Sequence, residues 1–470
     1  MSHVRPVPAF GAPAAAAPPG IAARARRPDF WVPAFVVFEL ACAVLLLFPD
    51  FGTSRLVLRI ATFGASLALL VLLRGRGGRH PAAIAGGLAL IVVAVQIFHP
   101  DTTNYLAGTA QAVLYIAVMA PLFWVPRLDV DLRVIRRVAL ILWAFHTVSA
   151  ALGVLQVYFP GQLQPHLSSI IASRRGYVET LMITTNTGVR TFRPMGLTDI
   201  PGGAAISGLY AILFGTGFFL TRRRVGMLAL SALSMVLGMT CLYLSQVRAV
   251  LVMTGIAVMV IGGILVWRRD VARVGTLALV VVSVAVIGYT AAMSLAGPSV
   301  AKRVATLTAN RPGAVYYNER GHFFYDAIAK TLPESPFGMG LGHWGMMATY
   351  FGQGAPSTRD VWVEIQWAGW IVDGGAPLAL LYCAALLAAL WAMWKVARAP
   401  APEGSPDLPF WATVVLAYGI GAFALTFSYP IFLSQPGMEF WLLNAALFAA
   451  ARHARREARA RAALRAQAAS

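Results

Sequence analysis

Four arginines are the residues of this chain best suited to grip a ligand. Arg190 and Arg193 lie in Arg190-Thr-Phe-Arg193-Pro-Met-Gly196, just ahead of an apolar run. Arg248 closes Ser245-Gln-Val-Arg248 between two apolar runs, and Arg320 stands in Asn318-Glu-Arg-Gly-His-Phe-Phe-Tyr325. A guanidinium keeps its charge in a dry site and holds paired phosphate oxygens as a planar fork. One such arginine more often meets a lipid headgroup or a carbonyl. Four of them on three separate segments point to a shared anion, and a diphosphate fits the fork.

Other groupings carry less. Asp129-Val130-Asp131 has the DxD form that holds a metal with a sugar nucleotide, but it sits among Arg127, Arg133, Arg136 and Arg137 and reads as a solvated loop. The 8 histidines show no HxxxH or other ligand spacing, so no metal is assigned. Gly338-Met-Gly340-Leu-Gly342 lacks the preceding strand and the following lysine of a phosphate loop. It reads as a tight turn packed near the membrane surface, with an anion-binding nest as the alternative. Glu39 falls in the middle of the first apolar run, where an ionisable group is a functional candidate by default. Arg59, near the outer end of the next run, is expected to pair with it and lock two helices, with a proton or substrate relay as the alternative. Cys42, Cys241 and Cys383 all lie in apolar runs and read as small buried hydrophobes.

The elements that must position these residues follow from composition. Of 470 residues 58% are hydrophobic and 12% charged, with a mean hydropathy of +0.69. A soluble domain averages about 25% charged residues, so a soluble enzyme and a disordered chain are both excluded. A bilayer span takes about 20 apolar residues. Twelve runs qualify, at 30–48, 56–73, 81–98, 105–125, 138–158, 201–220, 226–243, 249–267, 274–294, 375–396, 409–427 and 437–452. The expectation is an all-α polytopic membrane protein: a disordered tail over 1–28, a transmembrane domain over 29–452, and a basic tail over 453–470. The net charge of +19 sits largely in arginine clusters beside alternate runs, such as Arg222–Arg224. That is the positive-inside bias, which puts both termini in the cytoplasm and removes the need for a nucleic-acid partner. Two long segments, 159–200 and 295–362, then face outward, the second partly helical, and they carry the arginines that topology does not require.

The order of these segments resembles the O-antigen ligase and polymerase family of bacterial polysaccharide assembly. Arg193-Pro-Met-Gly196 resembles its element after the first long outer loop, and Ser245-Gln-Val-Arg248-Ala249 is similar to its Ser-Arg-Gly hairpin. Arg320 ahead of Pro336-Phe-Gly-Met-Gly340, and Asp373-Gly-Gly375-Ala-Pro377 at the start of a span, continue the order. The likeness covers roughly 190–395. It implies an inverting glycosyl transfer in the bacterial inner membrane, at its periplasmic face. A glycan on undecaprenyl diphosphate would be the donor, a glycan or lipid hydroxyl the acceptor, and no cofactor would be needed. Arg190, Arg193, Arg248 and Arg320 would hold the leaving diphosphate. Membrane lipids and other polysaccharide-assembly proteins are the further partners it implies.

In one place the chain departs from the family. Where members often carry His-Asn ahead of the last run, this sequence has Glu364-Ile365. Glu364 is therefore the candidate base, with His322 as the other candidate and His343 in the same segment. A polymerase is expected on this ground, a ligase acting on the lipid A core is the alternative, and a transporter or flippase of lipid-linked sugars is the rival of a different class.

Overall fold

The structure is a computed structural model, and it describes the chain except for residues 1–29, 49–53, 74, 76, 103, 166, 168–177, 180, 223, 309–311, 352–362 and 470. The tail expected over 1–28 lies outside the described residues, as do Arg174, Arg175, Arg311 and Arg359 of the two long segments.

Every apolar run forms helix, because a backbone without water must satisfy its hydrogen bonds internally. In chain order the helices are α1 (Trp31–Leu45), α2 (Ser54–Leu72), α3 (Ala83–Gln96), α4 (Tyr105–Arg127), α5 (Leu132–Tyr158), α6 (Ala204–Thr221) and α7 (Val225–Ser245). They continue as α8 (Arg248–Trp267), α9 (Val271–Thr308), a helical run α10 from Pro312 to Glu334, α11 (Gly345–Phe351), α12 (Gln366–Arg398), α13 (Leu408–Leu425) and α14 (Gln435–Ala469). Among the described residues, 8 helices are long and apolar enough to cross a membrane: α4 to α9, α12 and α13. Helices α1, α2 and α3 are apolar over shorter stretches, and α14 runs from a buried first half into a charged second half. The architecture is that of an all-α polytopic membrane protein.

Small residues let the helices close on one another. A Cβ on Gly208 of α6 would stand 2.6 Å from the Gly238 carbonyl of α7, and one on Gly238 would stand 2.7 Å from the Gly208 carbonyl. Close backbone approach of this kind is how helices associate where lipid offers no hydrophobic drive. The core also carries large aromatics, with Trp370 stacked on Tyr382 at 4.7 Å and Phe432, Phe440 and Trp441 around them. Asn104 caps α4 and Asp131 caps α5, each accepting an N–H at 2.9 Å. Asp129 in turn pairs with His453 of α14 at 2.8 Å. Both acids of the DxD therefore bind the fold itself.

Three features depart from the expectation. The first long segment holds a two-stranded antiparallel hairpin, β1 (Met182–Thr184) with β2 (Arg190–Phe192), in register Ile183 to Thr191. Helix α9 passes its expected end at 294 by breaking at Ala296 ahead of Pro298. Helix α12 begins at Gln366 rather than 375 and is interrupted at Gly374 and Gly375. An apolar pattern marks the extent of a span. It does not show that a helix resumes beyond a break.

Candidate functional site

Arg193 follows β2 directly, its N–H held by the Leu181 carbonyl at 3.0 Å. Its side chain passes Gly202, at the head of α6, against which Val247 of the α7–α8 turn also packs. That turn is tight because Gln246 adopts a left-handed conformation at φ 55°. It lets α8 open on Arg248, whose guanidinium pairs with Glu319 of α10. Arg303, beyond the break in α9, donates from Nε to the Gln246 carbonyl at 3.1 Å and lies within electrostatic reach of Arg193, Arg248 and Glu319. Arg248 and Arg303 share a small cavity with Tyr243 and Gln246. Next to Glu319 in the chain, Arg320 pairs with Glu364 at the mouth of α12.

The fold thus gathers Arg193, Arg248 and Glu319 around Arg303, with the Arg320–Glu364 pair on the residue next to Glu319. Such a surface suits a polyanion, since three fixed cations against Glu319 leave excess positive charge in a partly dry pocket. Arg190 is not brought in. It is exposed at the start of β2, and no described contact links it to the other three. Arg303 is the member that sequence reasoning passed over as a ligand holder. Its signal was the Lys302-Arg303 pair just past Pro298, on a face that topology does not ask to be basic.

The two candidate bases stand in different surroundings. Glu364 is partly buried and engaged by Arg320, which fixes its orientation. His322 lies two residues beyond Arg320, so the two side chains do not share a helix face. Its Nδ1 contacts the Tyr317 carbonyl at 3.1 Å, and since a carbonyl only accepts, Nδ1 carries the proton and Nε2 is the basic atom of the neutral ring. His343 stands in the glycine loop, where burial lowers its pKa.

That loop is not an anion nest. Gly338, Gly340 and Gly342 all have φ between 82° and 93°, a region that favours glycine. Their neighbours consume the N–H groups: Met339 donates to Val372 at 2.7 Å, Leu341 to the Thr102 hydroxyl at 3.3 Å and Gly342 to Gln111 Oε1 at 2.7 Å. The Phe337 carbonyl accepts from Gln96 of α3, and the Pro336 carbonyl accepts from Ala376, at 2.9 Å, in the gap of α12. Below the gap the buried Asp373 carboxylate accepts from Gln111 and Trp344 at 2.8 Å and from Tyr115 at 2.7 Å. Loop and carboxylate together clamp α3, α4 and α12.

The expected Glu39–Arg59 pair does not form. Arg59 instead pairs with Asp199 of the first long segment. Glu39 faces into the bundle, with neither oxygen hydrogen-bonded among the described residues. Pairing two apolar runs in sequence says nothing of which face each charge takes, and that misled the expectation. No family model matches the chain, and no curated protein sequence does either.

Proposed function

We propose that the protein is an inverting, polysaccharide-polymerase-like glycosyltransferase that takes glycan from undecaprenyl diphosphate at the periplasmic face of the bacterial inner membrane. The observation that carries this reading is the convergence of Arg193, Arg248 and Arg303 from three separate segments beside Glu319, with the Arg320–Glu364 pair adjoining. A departing lipid diphosphate develops negative charge that fixed guanidiniums can stabilise. The acceptor hydroxyl needs a base within reach. Glu364 serves as that base once diphosphate draws Arg320 away from it, and Nε2 of His322 is the alternative. Twelve spans, with both termini in the cytoplasm and residues 295–362 outside, are part of the same proposal.

The ligase reading keeps the same donor and changes only the acceptor to a lipid A core. The transporter reading draws on the interrupted α12, since broken helices line many substrate paths. Here the loop from Pro336 to Gly342 fills the interruption, which favours the transferase. Incubating the purified protein with a lipid-diphosphate oligosaccharide tests the proposal. Longer lipid-linked glycans are expected. Unchanged donor in the presence of acceptor, with movement of donor between leaflets of a vesicle, would replace it with the transporter.

A further inference from the structure

A third set of polar groups lies in the middle of the bundle, apart from both the arginines and the glycine loop. Buried Glu439 of α14 contacts the Tyr210 hydroxyl of α6. Tyr210 stands 2.8 Å from the Tyr418 hydroxyl of α13, and Tyr418 stands 2.8 Å from the Pro436 carbonyl. A carbonyl only accepts, and a tyrosine has one proton to donate. Tyr418 therefore donates to Pro436 and accepts from Tyr210. Tyr210 then has no proton left for Glu439, so the last contact is a protonated Glu439 donating to Tyr210. An ionised Glu439 would require Tyr210 to turn and donate to it, which breaks the Tyr210–Tyr418 bond unless Tyr418 turns as well and releases Pro436.

Glu39 of α1 is the second carboxyl. It is 1% exposed, neither oxygen has a hydrogen-bond partner among the described residues, and it lies within electrostatic reach of Glu439 and Tyr418. No described lysine or arginine pairs with either acid. Two buried carboxylates without a counter-charge cannot both stay ionised. Cys42 of α1 lies within electrostatic reach of Glu39, and His146 of α5 lies against Tyr210. The His146 ring lies 4.3 Å from the Tyr210 ring, and its Nδ1 is 3.1 Å from Ser207.

We infer that Glu39 and Glu439 form a proton-binding site inside the bundle, in which Glu439 holds one exchangeable proton and the Tyr210–Tyr418 chain carries its effect to the start of α14. When the proton leaves, it passes to bulk water, Glu439 accepts from Tyr210, Tyr210 accepts from Tyr418, and the Tyr418 bond to Pro436 opens. Just ahead of Pro436, the Phe432 N–H donates to Gln366 at 2.8 Å, two residues along from Glu364. Proton occupancy is thus set beside the outer end of α12.

Infrared spectroscopy of the purified full chain in lipid nanodiscs reads this directly, through the deuterium-sensitive carbonyl band of protonated carboxyls. Glu439→Gln is expected to remove one component of that band at neutral pH. Tyr418→Phe frees Tyr210 to donate to Glu439, so the component should vanish at a pH lower by roughly one unit, the worth of one hydrogen bond to the charged form. The phenylalanine keeps the ring, so the outcome does not hang on Glu439→Gln folding. Three results would each overturn the inference: no component lost in Glu439→Gln, a titration unmoved by Tyr418→Phe, or a component present in choline buffer and absent in sodium, which would assign the pair to a metal ion.

Discussion

The arginine cluster and the glycine loop both present groups that bind anions, and the protein uses them in opposite ways. In the loop, the N–H groups of Met339, Leu341 and Gly342 are matched to internal acceptors, and Asp373 is matched by three donors. In the cluster, Arg248 and Arg320 pair with Glu319 and Glu364, and Glu319 is 52% exposed. Exposed ion pairs contribute only about 0–1 kcal/mol, so a dianion can displace them. A region whose partners are all internal builds the fold. A region whose partners are exchangeable can take a ligand.

Breaking the loop should cost the most. Asp373→Ala strands Gln111, Tyr115 and Trp344, and each orphaned buried donor costs about 1–3 kcal/mol. A large fall in unfolding temperature is expected, measured by intrinsic tryptophan fluorescence, and an unchanged midpoint would remove the clamp from the account. Next comes the cluster. Arg193→Ala, Arg248→Ala and Arg320→Ala should each lose roughly 2–4 kcal/mol of transition-state stabilisation, by analogy with removal of an oxyanion donor, while folding normally. Arg→Lys should fail nearly as badly, because a point charge cannot reproduce the fork. Normal glycan extension in all three alanine variants would sink the diphosphate assignment, and Arg190→Ala is expected to fall well below them in effect.

A subtler comparison separates the bases. Glu364→Gln should abolish extension in membranes matched for protein level, and His322→Gln should leave most of it. The reverse pattern would move the base to Nε2 of His322. The smallest effect concerns the far end of the molecule. Burial works to lower the pKa of His453, but Asp129 and Glu457 outweigh it and hold the pKa above 6.5. A raised folded pKa adds stability that is fully present below the unfolded value and fades as pH rises through the folded one. Melting temperature should therefore drop slightly as pH climbs from below 6.5 through the raised pKa, and the drop should shrink in Asp129→Asn, which leaves only Glu457 to oppose burial.

The helices were legible because a lipid-soluble helix must be written as an unbroken apolar run: each run predicted from sequence falls on a helix, although only 8 helices among the described residues are long and apolar enough to cross a membrane. Arg193, Arg248 and Arg320 stood out in the sequence because the expected topology does not call for them, and the structure brings Arg193 and Arg248 to Arg303. What stayed hidden was long-range. Asp373 meets Gln111 across 262 positions and Arg59 meets Asp199 across 140, and no local pattern ties such residues together. The hairpin of β1 and β2 was hidden for another reason, since strands of three residues leave too short a trace to rise above a loop. The break in α12 was half visible: Asp373-Gly-Gly375 marked a boundary, but sequence took it for the start of a helix instead of an interruption within one.

The clamp also sets an order on biogenesis. Gln111 and Tyr115 sit within α4, and their partners Gly342 and Asp373 emerge from the ribosome only after 231 or more further residues. Until then α4 carries an amide and a hydroxyl with no partner from its own final fold, in a solvent that offers them none. A nascent chain must either shelter α4 against α3 and the insertion machinery or let it wait at the interface. Closing the glycine loop is then a late step that seals helices made early, and a variant that weakens the loop should accumulate to a lower level than the wild type, because part of it is lost to proteolysis during synthesis.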